Sequence, residues 1–120
     1  MKTKLLLLLE RETGELLKFH FSARGFEVMA IPVEAISELP EEALTFKPDL
    51  TIIQRHQGRG LKLCQSIRSN PAWGDIRILL ISANGETGEK EARAAGADDY
   101  LQVPFHFPEI HLRIQRLLRN

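Results

Sequence analysis

Several polar residues follow short apolar runs, a position in which chemistry is often found. Glu10 and Arg11 lie in LLLLLERE, Gln54 lies in LTIIQRHQGRG, and Ser82 follows ILLI. If these runs are parallel strands, their carboxyl ends meet at one edge of a sheet, where ligands usually bind. A carboxylate there could act as a nucleophile or hold a cation, whereas the carboxamide of Gln54 is a far poorer nucleophile. The edge therefore offers one acid beside a cation and an amide.

No other group of residues has the spacing of a known site. The histidines fit no metal-ligand motif, and we expect surface or half-buried positions for His20, His56, His106 and His111. Gly58 and Gly60 lack the spacing of a phosphate-binding loop. The loop with Arg55, His56 and Arg59 could receive an anion, but a solvated loop is the simpler interpretation. The sequence thus predicts no catalytic residue, no metal and no cofactor.

The hydrophobic pattern alternates between strands and helices. Strands are predicted over 4–9, 26–31, 50–53, 76–81 and 100–103, and helices over 11–24, 40–46, 61–69, 88–95 and from 108 onward. Apolar residues three and four apart predict the buried helix faces, namely Leu16, Leu17 and Phe21, then Leu61, Cys64 and Ile67, then Ile110, Ile114, Leu117 and Leu118. Short connections between alternating elements predict a doubly wound α/β fold with five parallel strands and five helices.

Size and charge restrict the class of protein. The 120 residues fit one domain over 1–120, and 16 basic residues balance 16 acidic ones, which argues against direct nucleic-acid binding. The apolar run Leu5 to Leu9 is too short for a signal peptide or a membrane span, so no membrane contact is expected. The single cysteine, Cys64, excludes an internal disulfide and favours a cytoplasmic location.

Five segments carry a resemblance to a known family: LLLLLERE, GFEV, KPDLTIIQ, LKLCQSIRSNPAWGDIRILLISA and AGADDYLQVPF. Through them the chain resembles, over nearly its whole length, the receiver domain of two-component response regulators. The resemblance implies the flavodoxin-like version of the predicted fold. It also implies a site in which an aspartate accepts a phosphoryl group beside Mg²⁺, with a lysine and a hydroxyl that contact the phosphoryl oxygens.

The sequence departs from that pattern at three related positions. Glu10 and Arg11 occupy the acidic pair, Gln54 occupies the aspartate position, and Val103 replaces the lysine, while Ser82 keeps the hydroxyl. The loop after Gln54 is about two residues shorter than the family pattern and lacks its proline. These changes predict a pseudo-receiver that keeps the fold without the phosphorylation chemistry.

Two residues of this edge suggest sharper hypotheses. The Arg11 guanidinium could replace the metal and hold Glu10 and Gln54 in place, and the alternative is that Arg11 points into solvent. Tyr100 occupies the family's switch position, where we expect a fixed or partner-driven aromatic residue rather than one moved by phosphate. Ser82 could bond within the pocket or be an ordinary hydroxyl at a strand end.

The last helix suggests an interaction surface. Leu112 is apolar on a face that would otherwise be polar. The family commonly docks partners through the surface formed by its fourth helix, fifth strand and fifth helix. Here that face would comprise Arg93, Tyr100, Gln102, Leu112, Arg113 and Arg116. The expected partner is a kinase, an output domain, another regulator or a second copy through the last helix and fifth strand.

The sequence therefore predicts an atypical receiver domain that acts by phosphorylation-independent protein–protein interaction in bacterial two-component or phosphorelay signalling. Two alternatives remain open. One is a conventional phospho-receiver that uses another carboxylate, such as Glu10 or Asp49, and the other is a small-molecule sensor. Asn120 follows the last predicted helix, where an output domain would begin in a longer regulator.

Overall fold

Parallel strands and helices alternate along the chain as the hydrophobic pattern predicts. A computed structural model describes residues 1–83 and 88–119. The strands are β1 (Lys4–Leu8), β2 (Glu27–Ala30), β3 (Leu50–Gln54), β4 (Arg77–Ser82) and β5 (Asp99–Gln102). The helices are α1 (Arg11–Ser22), α2 (Glu41–Phe46), α3 (Arg59–Ser69), α4 (Glu89–Ala94) and α5 (Phe107–Arg119). Asn120 lies outside the described residues.

The strands form one parallel sheet in the order β2-β1-β3-β4-β5. This is the flavodoxin-like order, so the predicted fold class is confirmed. The chain reverses its direction of winding between β1 and β3, and a crevice forms there at the carboxyl ends of these two strands. Glu10 and Gln54 lie at this crevice.

The central strands are apolar because helices cover both sides of them. Successive side chains of β1 point to opposite faces, so Leu6 and Leu8 join the core under α3, whereas Leu5 and Leu7 join the core under α1 and α5. Cys64 is fully buried in the first of these cores, as predicted, and burial raises the pKa of its thiol to about 11.

Two predicted helix positions are wrong, and a third is only partly confirmed. Leu16 is 59% exposed, Leu118 is 36% exposed, and Leu61 is only half-buried, while Leu63 takes the core position in α3. Each helix buries a narrower stripe than the apolar spacing suggests, and the sequence does not tell which apolar neighbour is covered. Leu17, Phe21, Ile110, Ile114 and Leu117 are buried as predicted.

Gly60 allows α3 to start directly against the end of β3. A Cβ at this position would lie 2.1 Å from the Gln54 carbonyl oxygen and 2.8 Å from Arg55 Cα. Only a residue without a side chain tolerates such an approach. Gly60 therefore fixes the course of the short loop that carries Arg55 and His56. Within the described ranges, no helix has both the length and the apolar character needed to cross a membrane.

Candidate functional site

Glu10 and Gln54 form a reciprocal pair at the carboxyl edge of the sheet. Leu8 of β1 pairs with Ile53 of β3, so the two strands end side by side, with Glu10 two residues beyond Leu8 and Gln54 one residue beyond Ile53. The Glu10 backbone N–H donates to Gln54 Oε1 at 2.8 Å, and Gln54 Nε2 donates to Glu10 Oε1 at 3.0 Å. An amide can accept and donate at once, which an ionised carboxylate cannot do. The amide at position 54 therefore matches its surroundings.

His56 completes this pair from the loop after β3. Its Nδ1 lies 3.1 Å from Glu10 Oε2, so both carboxylate oxygens of Glu10 have a partner. The backbone of His56 and Gln57 is left-handed, with φ values of 42° and 65°, and this turns the loop back over the strand end. We name Glu10, Gln54 and His56 the edge cluster.

The hypothesis that Arg11 pins the cluster is wrong. Arg11 is exposed, and its guanidinium makes no hydrogen bond or ion pair with residues 1–83 or 88–119. It is the Arg11 backbone N–H that has a partner, since it donates to Glu34 Oε2 at 3.2 Å. Hydrogen bonds from the backbone N–H groups of Glu34 and Arg11 lower the pKa of the Glu34 carboxyl. His56 takes the role that the sequence suggested for Arg11.

Ser82 and Tyr100 meet at the other end of the same edge. Ser82 is fully buried at the end of β4, and its Oγ shares a 2.6 Å hydrogen bond with Tyr100 Oη. Leu80 pairs with Tyr100, so Ser82 lies two residues further on the same face of the sheet. Tyr100 is half-buried and packs against the core beneath α4. The hydroxyl at Ser82 therefore bonds within the pocket, one of the two alternatives left open by the sequence.

Val103 directly follows β5 at this edge but contributes no polar side chain. Its backbone N–H donates to the Ser82 carbonyl at 2.8 Å, and its side chain packs against the core that α1 and α5 cover. Position 103 thus offers no cation to the edge.

Arg55 connects the end of β3 to α4, a link that the sequence did not reveal. Its backbone N–H donates to the Ile81 carbonyl at 2.7 Å, and its guanidinium lies 2.7 Å from a Glu91 carboxylate oxygen. The Arg55 side chain is 13% exposed. The charged partner lies 36 residues away in the sequence, so only the folded chain identifies it. A solvated basic loop was therefore the wrong interpretation for Arg55.

Arg59 has a different structural role. Its Nη1 donates to the carbonyls of Glu34 and Ile36 at 2.9 and 3.1 Å, which fixes the loop after β2. The basic side chains of the loop after Gln54 are thus directed to the protein itself.

Known proteins share both this sequence and this fold. The chain is 35% identical over 116 residues to the phosphate regulon transcriptional regulatory protein PhoB of Rhizobium meliloti (strain 1021), across 92% of the chain. It is 33% identical over 116 residues to the response regulator MprA of Mycobacterium leprae (strain TN), again across 92% of the chain. A putative response regulator from Chloroflexus aurantiacus J-10-fl superposes with a TM-score of 0.80 at 27% identity over 100% of both chains.

This chain belongs to the receiver-domain family of response regulators. It spans about half the length of the two regulators that it matches, 49% of PhoB and 48% of MprA. No protein-family model matches the chain. The family prediction made from the five sequence segments is thus confirmed.

The residues of this receiver do not fit the Mg²⁺ that the family implies. Mg²⁺ needs several oxygen ligands in near-octahedral geometry. Here Glu10 is the one carboxylate of the edge cluster, and both of its oxygens already bond to Gln54 and His56. Across residues 1–83 and 88–119, no group of three or more His, Cys, Asp or Glu side chains could hold a metal ion.

The predicted interaction face of the receiver is partly brought together by Asp99. The Asp99 carboxylate lies 2.9 Å from the Arg113 guanidinium and 3.6 Å from that of Arg93, which joins α4, β5 and α5. Arg113 also lies 3.3 Å from the Tyr100 carbonyl. The remaining predicted members Gln102, Leu112 and Arg116 are exposed, and Leu112 is 50% exposed. The sequence did not single out Asp99, although it organises this surface.

Proposed function

We propose that this receiver domain acts in two-component signalling by phosphorylation-independent protein–protein interaction in the cytoplasm. The observation that carries the proposal is the pair of hydrogen bonds exchanged by Gln54 and Glu10. A phosphoryl acceptor must be a nucleophile whose attack is assisted by a cation that neutralises the phosphate charge. Gln54 presents a carboxamide, and the carboxylate beside it is hydrogen-bonded on both oxygens.

The contacts of Tyr100 and of α4 support a single signalling surface. Tyr100 is held inward by Ser82, and α4 is tied to the end of β3 by the ion pair of Arg55 with Glu91. No phosphoryl group is needed to form these bonds. We infer that α4, β5 and α5 present one fixed surface to a kinase, an output domain or another regulator, with Leu112 as its apolar contact.

The two competing functions have less support. Asp49 immediately precedes β3, and its Oδ2 accepts a hydrogen bond from the Lys4 backbone N–H at 2.8 Å, so it is at the opposite edge of the sheet. A small-molecule sensor would use the cleft of about 410 Å³ beside Glu10, Glu12 and Glu34. Ligand pockets are mostly apolar, whereas glutamates, arginine and histidine line most of this cleft.

Treatment with acetyl phosphate and Mg²⁺, followed by intact mass measurement, tests the loss of phosphorylation. We expect no phosphate-sized mass gain in the wild-type chain. A matched positive control is the triple variant Arg11→Asp, Gln54→Asp and Val103→Lys, which rebuilds the charged residues that the family pattern implies. A stable mass gain in the wild type would overturn the proposal, and the modified residue would reveal which carboxylate is used.

Affinity capture from the source cell tests the interaction surface. We expect the wild-type chain to retain a partner that the Leu112→Glu variant loses, because a buried charge opposes docking of an apolar contact. Phe19→Glu is the control, since it places the same charge on an exposed apolar residue of α1. A partner retained equally by all three chains would place the docking surface elsewhere.

A further inference from the structure

Two histidine rings join α1 to α5. His20 Nε2 lies 2.7 Å from His111 Nε2, although the two residues are 91 positions apart in the sequence. Both residues are half-buried. The Phe107 ring stacks on His20 at 4.0 Å between centroids, and the Phe21 ring meets His111 edge-on at 5.4 Å. A contact of this length between two ring nitrogens is a hydrogen bond, so one ring must donate and the other must accept.

Arg24 determines which ring donates. Its Nη1 lies 3.2 Å from His20 Nδ1 and 3.1 Å from the His20 carbonyl oxygen. A guanidinium has donors only, so His20 Nδ1 accepts a hydrogen bond and carries no proton. The proton of the neutral His20 ring is therefore on Nε2, which donates to His111 Nε2, and the proton of His111 is on Nδ1. We name His20, His111 and Arg24 the histidine clasp.

An additional proton has no favourable position in the histidine clasp. On His20 it would occupy Nδ1, where it would point at the Arg24 donor and bring two positive charges together. On His111 it would occupy Nε2, where it would face the N–H of His20 Nε2. Either event removes one hydrogen bond and leaves two donors opposed, which costs free energy. The hydrogen bonds of the clasp therefore require both rings to be neutral.

The surroundings of the clasp supply no negative charge that would favour a protonated ring. The charged neighbour on α1 is Arg24, one turn after His20. On α5 the residues one turn from His111 are Phe107 and Gln115, and the sheet face beneath the two helices is apolar. In the described part of the chain, no carboxylate forms a hydrogen bond or an ion pair with either ring. The charge of Arg24 equally opposes a metal ion between the rings.

The pKa values of both rings are lowered in the folded chain. Burial lowers the pKa of His20, and the charge of Arg24 and the facing His111 lower it further. Burial and Arg24 also lower the pKa of His111. Because the unfolded rings titrate near the ordinary value of 6.5, the unfolded chain binds more protons than the folded chain just below that pH. The stabilisation by the clasp is therefore complete above about pH 6.5 and is lost as the pH falls below it.

We propose that the histidine clasp is a pH-sensitive contact, which holds α1 against α5 while both rings are neutral and releases it when either ring takes up a proton. The hydrogen bonds that require two neutral rings of fixed tautomer carry this inference. Histidine is suited to such a contact because its charge changes between about pH 5 and 8. Mild acid would loosen the last turn of α1 and the first turns of α5 while the central strands stay paired. The inference does not depend on the proposed function.

NMR of the histidine ring nitrogens in the ¹⁵N-labelled whole chain tests the clasp without any substitution. At about pH 7.5 we expect His20 to be protonated on Nε2 and His111 on Nδ1. We also expect both rings to titrate below the ordinary value of 6.5. A His20 ring that carries its proton on Nδ1 at about pH 7.5 would overturn the proposal, and so would rings that titrate above that value.

Removal of one positive charge tests the role of Arg24. Arg24→Gln should raise the titration midpoint of both rings, because Arg24 lowers the pKa of each. Lys18→Gln is the matched control, since it removes the same charge from an exposed residue on another side of α1. The control should leave both midpoints nearly unchanged. Equal shifts in the two variants would contradict the assignment of Arg24 to the clasp.

Amide hydrogen exchange at about pH 7.5 and 5.5, corrected for the intrinsic rate, tests whether acid releases the helices. In the wild type we expect protection over 18–24 and 107–113 to fall at least about fivefold at the lower pH, relative to β1 and β3. The double variant His20→Gln and His111→Gln should show no such loss, because its amides donate and accept at both pH values.

His106→Gln is the matched control for hydrogen exchange, since it removes an exposed histidine outside the clasp and should behave like the wild type. Wild-type protection that is unchanged at about pH 5.5 would overturn the proposal. An equal loss of protection in the double variant would overturn it as well, because the loss would then not come from the two rings.

Discussion

The two ends of the sheet's carboxyl edge differ in the side chains that they bring together. At the end formed by β1 and β3, Glu10, Gln54 and His56 form a closed set of hydrogen bonds. At the end formed by β4 and β5, Ser82 and Tyr100 keep the residue types expected of a receiver and bond to each other. The positions at which a receiver would carry out phosphate chemistry thus lie at one end of the edge. The hydroxyl pair that links the pocket to the surface of β5 lies at the other end.

This contrast teaches that side chains of a receiver fold can bond to one another at positions where a cation and a phosphoryl group would otherwise supply the contacts. A cation and a phosphoryl group would each bring charge and several hydrogen bonds to the first end. Here an amide and an imidazole are the hydrogen-bond partners of the Glu10 carboxylate. At the second end, hydroxyl groups bond directly, so no added group is needed. The predictions below test whether the two ends are independent.

The largest effect is expected at the loop on which both ends depend. Gly60→Ala should destabilise the fold by about 3 kcal/mol, because the added Cβ meets the Gln54 carbonyl and forces β3 and α3 apart. Urea unfolding measures the change. Gly74→Ala is the control, since its Cβ would lie 3.6 Å from the Pro71 carbonyl, an ordinary contact. Equal stability of the two variants would show that the loop is not constrained as described.

The next largest loss of stability is expected from substitutions that disturb only the edge cluster. Gln54→Glu should lower the free energy of unfolding by about 1–2 kcal/mol at pH 7, because it sets two carboxylates together and removes the donor to Glu10. Acidification to about pH 4 should narrow this deficit, since a protonated carboxyl can donate again. Chemical denaturation at both pH values is the measurement. Gln54→Met, which removes the bonds without adding charge, should lose less stability at pH 7. A Gln54→Glu variant as stable as the wild type would contradict the reciprocal pair.

The hydrogen bond between Ser82 and Tyr100 should contribute less to the free energy of unfolding, and its contribution should be independent of the edge cluster. Tyr100→Phe and Ser82→Ala should each cost about 1 kcal/mol, because the partner hydroxyl is left without its bond. In the double variant the two losses should not add, and the coupling should be about 0.5–1 kcal/mol. Combining Tyr100→Phe with Gln54→Met should give additive losses if the two ends are independent. Strong coupling between those two substitutions would show that the two ends of the edge are not independent.

The smallest effect distinguishes the two candidates for holding Glu10. Arg11→Ala should change stability by less than about 0.5 kcal/mol, because its guanidinium is exposed. His56→Asn removes the imidazole at a left-handed position that Asn tolerates, and should cost about 0.5 kcal/mol. Thermal melting of both variants in the same buffer ranks them. A larger loss for Arg11→Ala than for His56→Asn would restore the pinning role of Arg11.

Sequence reasoning predicts the sheet well because its strands are long apolar runs between clear breaks. It also brings Glu10, Gln54 and Ser82 to one edge, since parallel strands leave no other arrangement. The helix faces are less certain. Leu16 and Leu118 have helical spacing but are exposed, and the spacing alone does not distinguish a core position from a surface position.

The side-chain partners of the site could not be predicted from the sequence. His56 reaches Glu10 because two consecutive residues have left-handed backbones, and neither is glycine. Arg55 meets Glu91, and Asp99 meets Arg113, across elements distant in the chain. Each pairing depends on loop conformation and on which helix packs beside which strand. These are properties of the folded chain rather than of local pattern.

Titration of ¹⁵N-labelled protein with Mg²⁺, followed by NMR, tests most directly whether internal hydrogen bonds replace the metal at this edge. The Gln54 side-chain amide and the Glu10 backbone amide report on the two bonds that they share. We predict that both signals keep their positions through millimolar Mg²⁺, while the triple variant Arg11→Asp, Gln54→Asp and Val103→Lys shows a saturable shift of its Glu10 amide. A saturable shift of both wild-type signals would contradict the replacement and would reopen phosphoryl chemistry for this receiver.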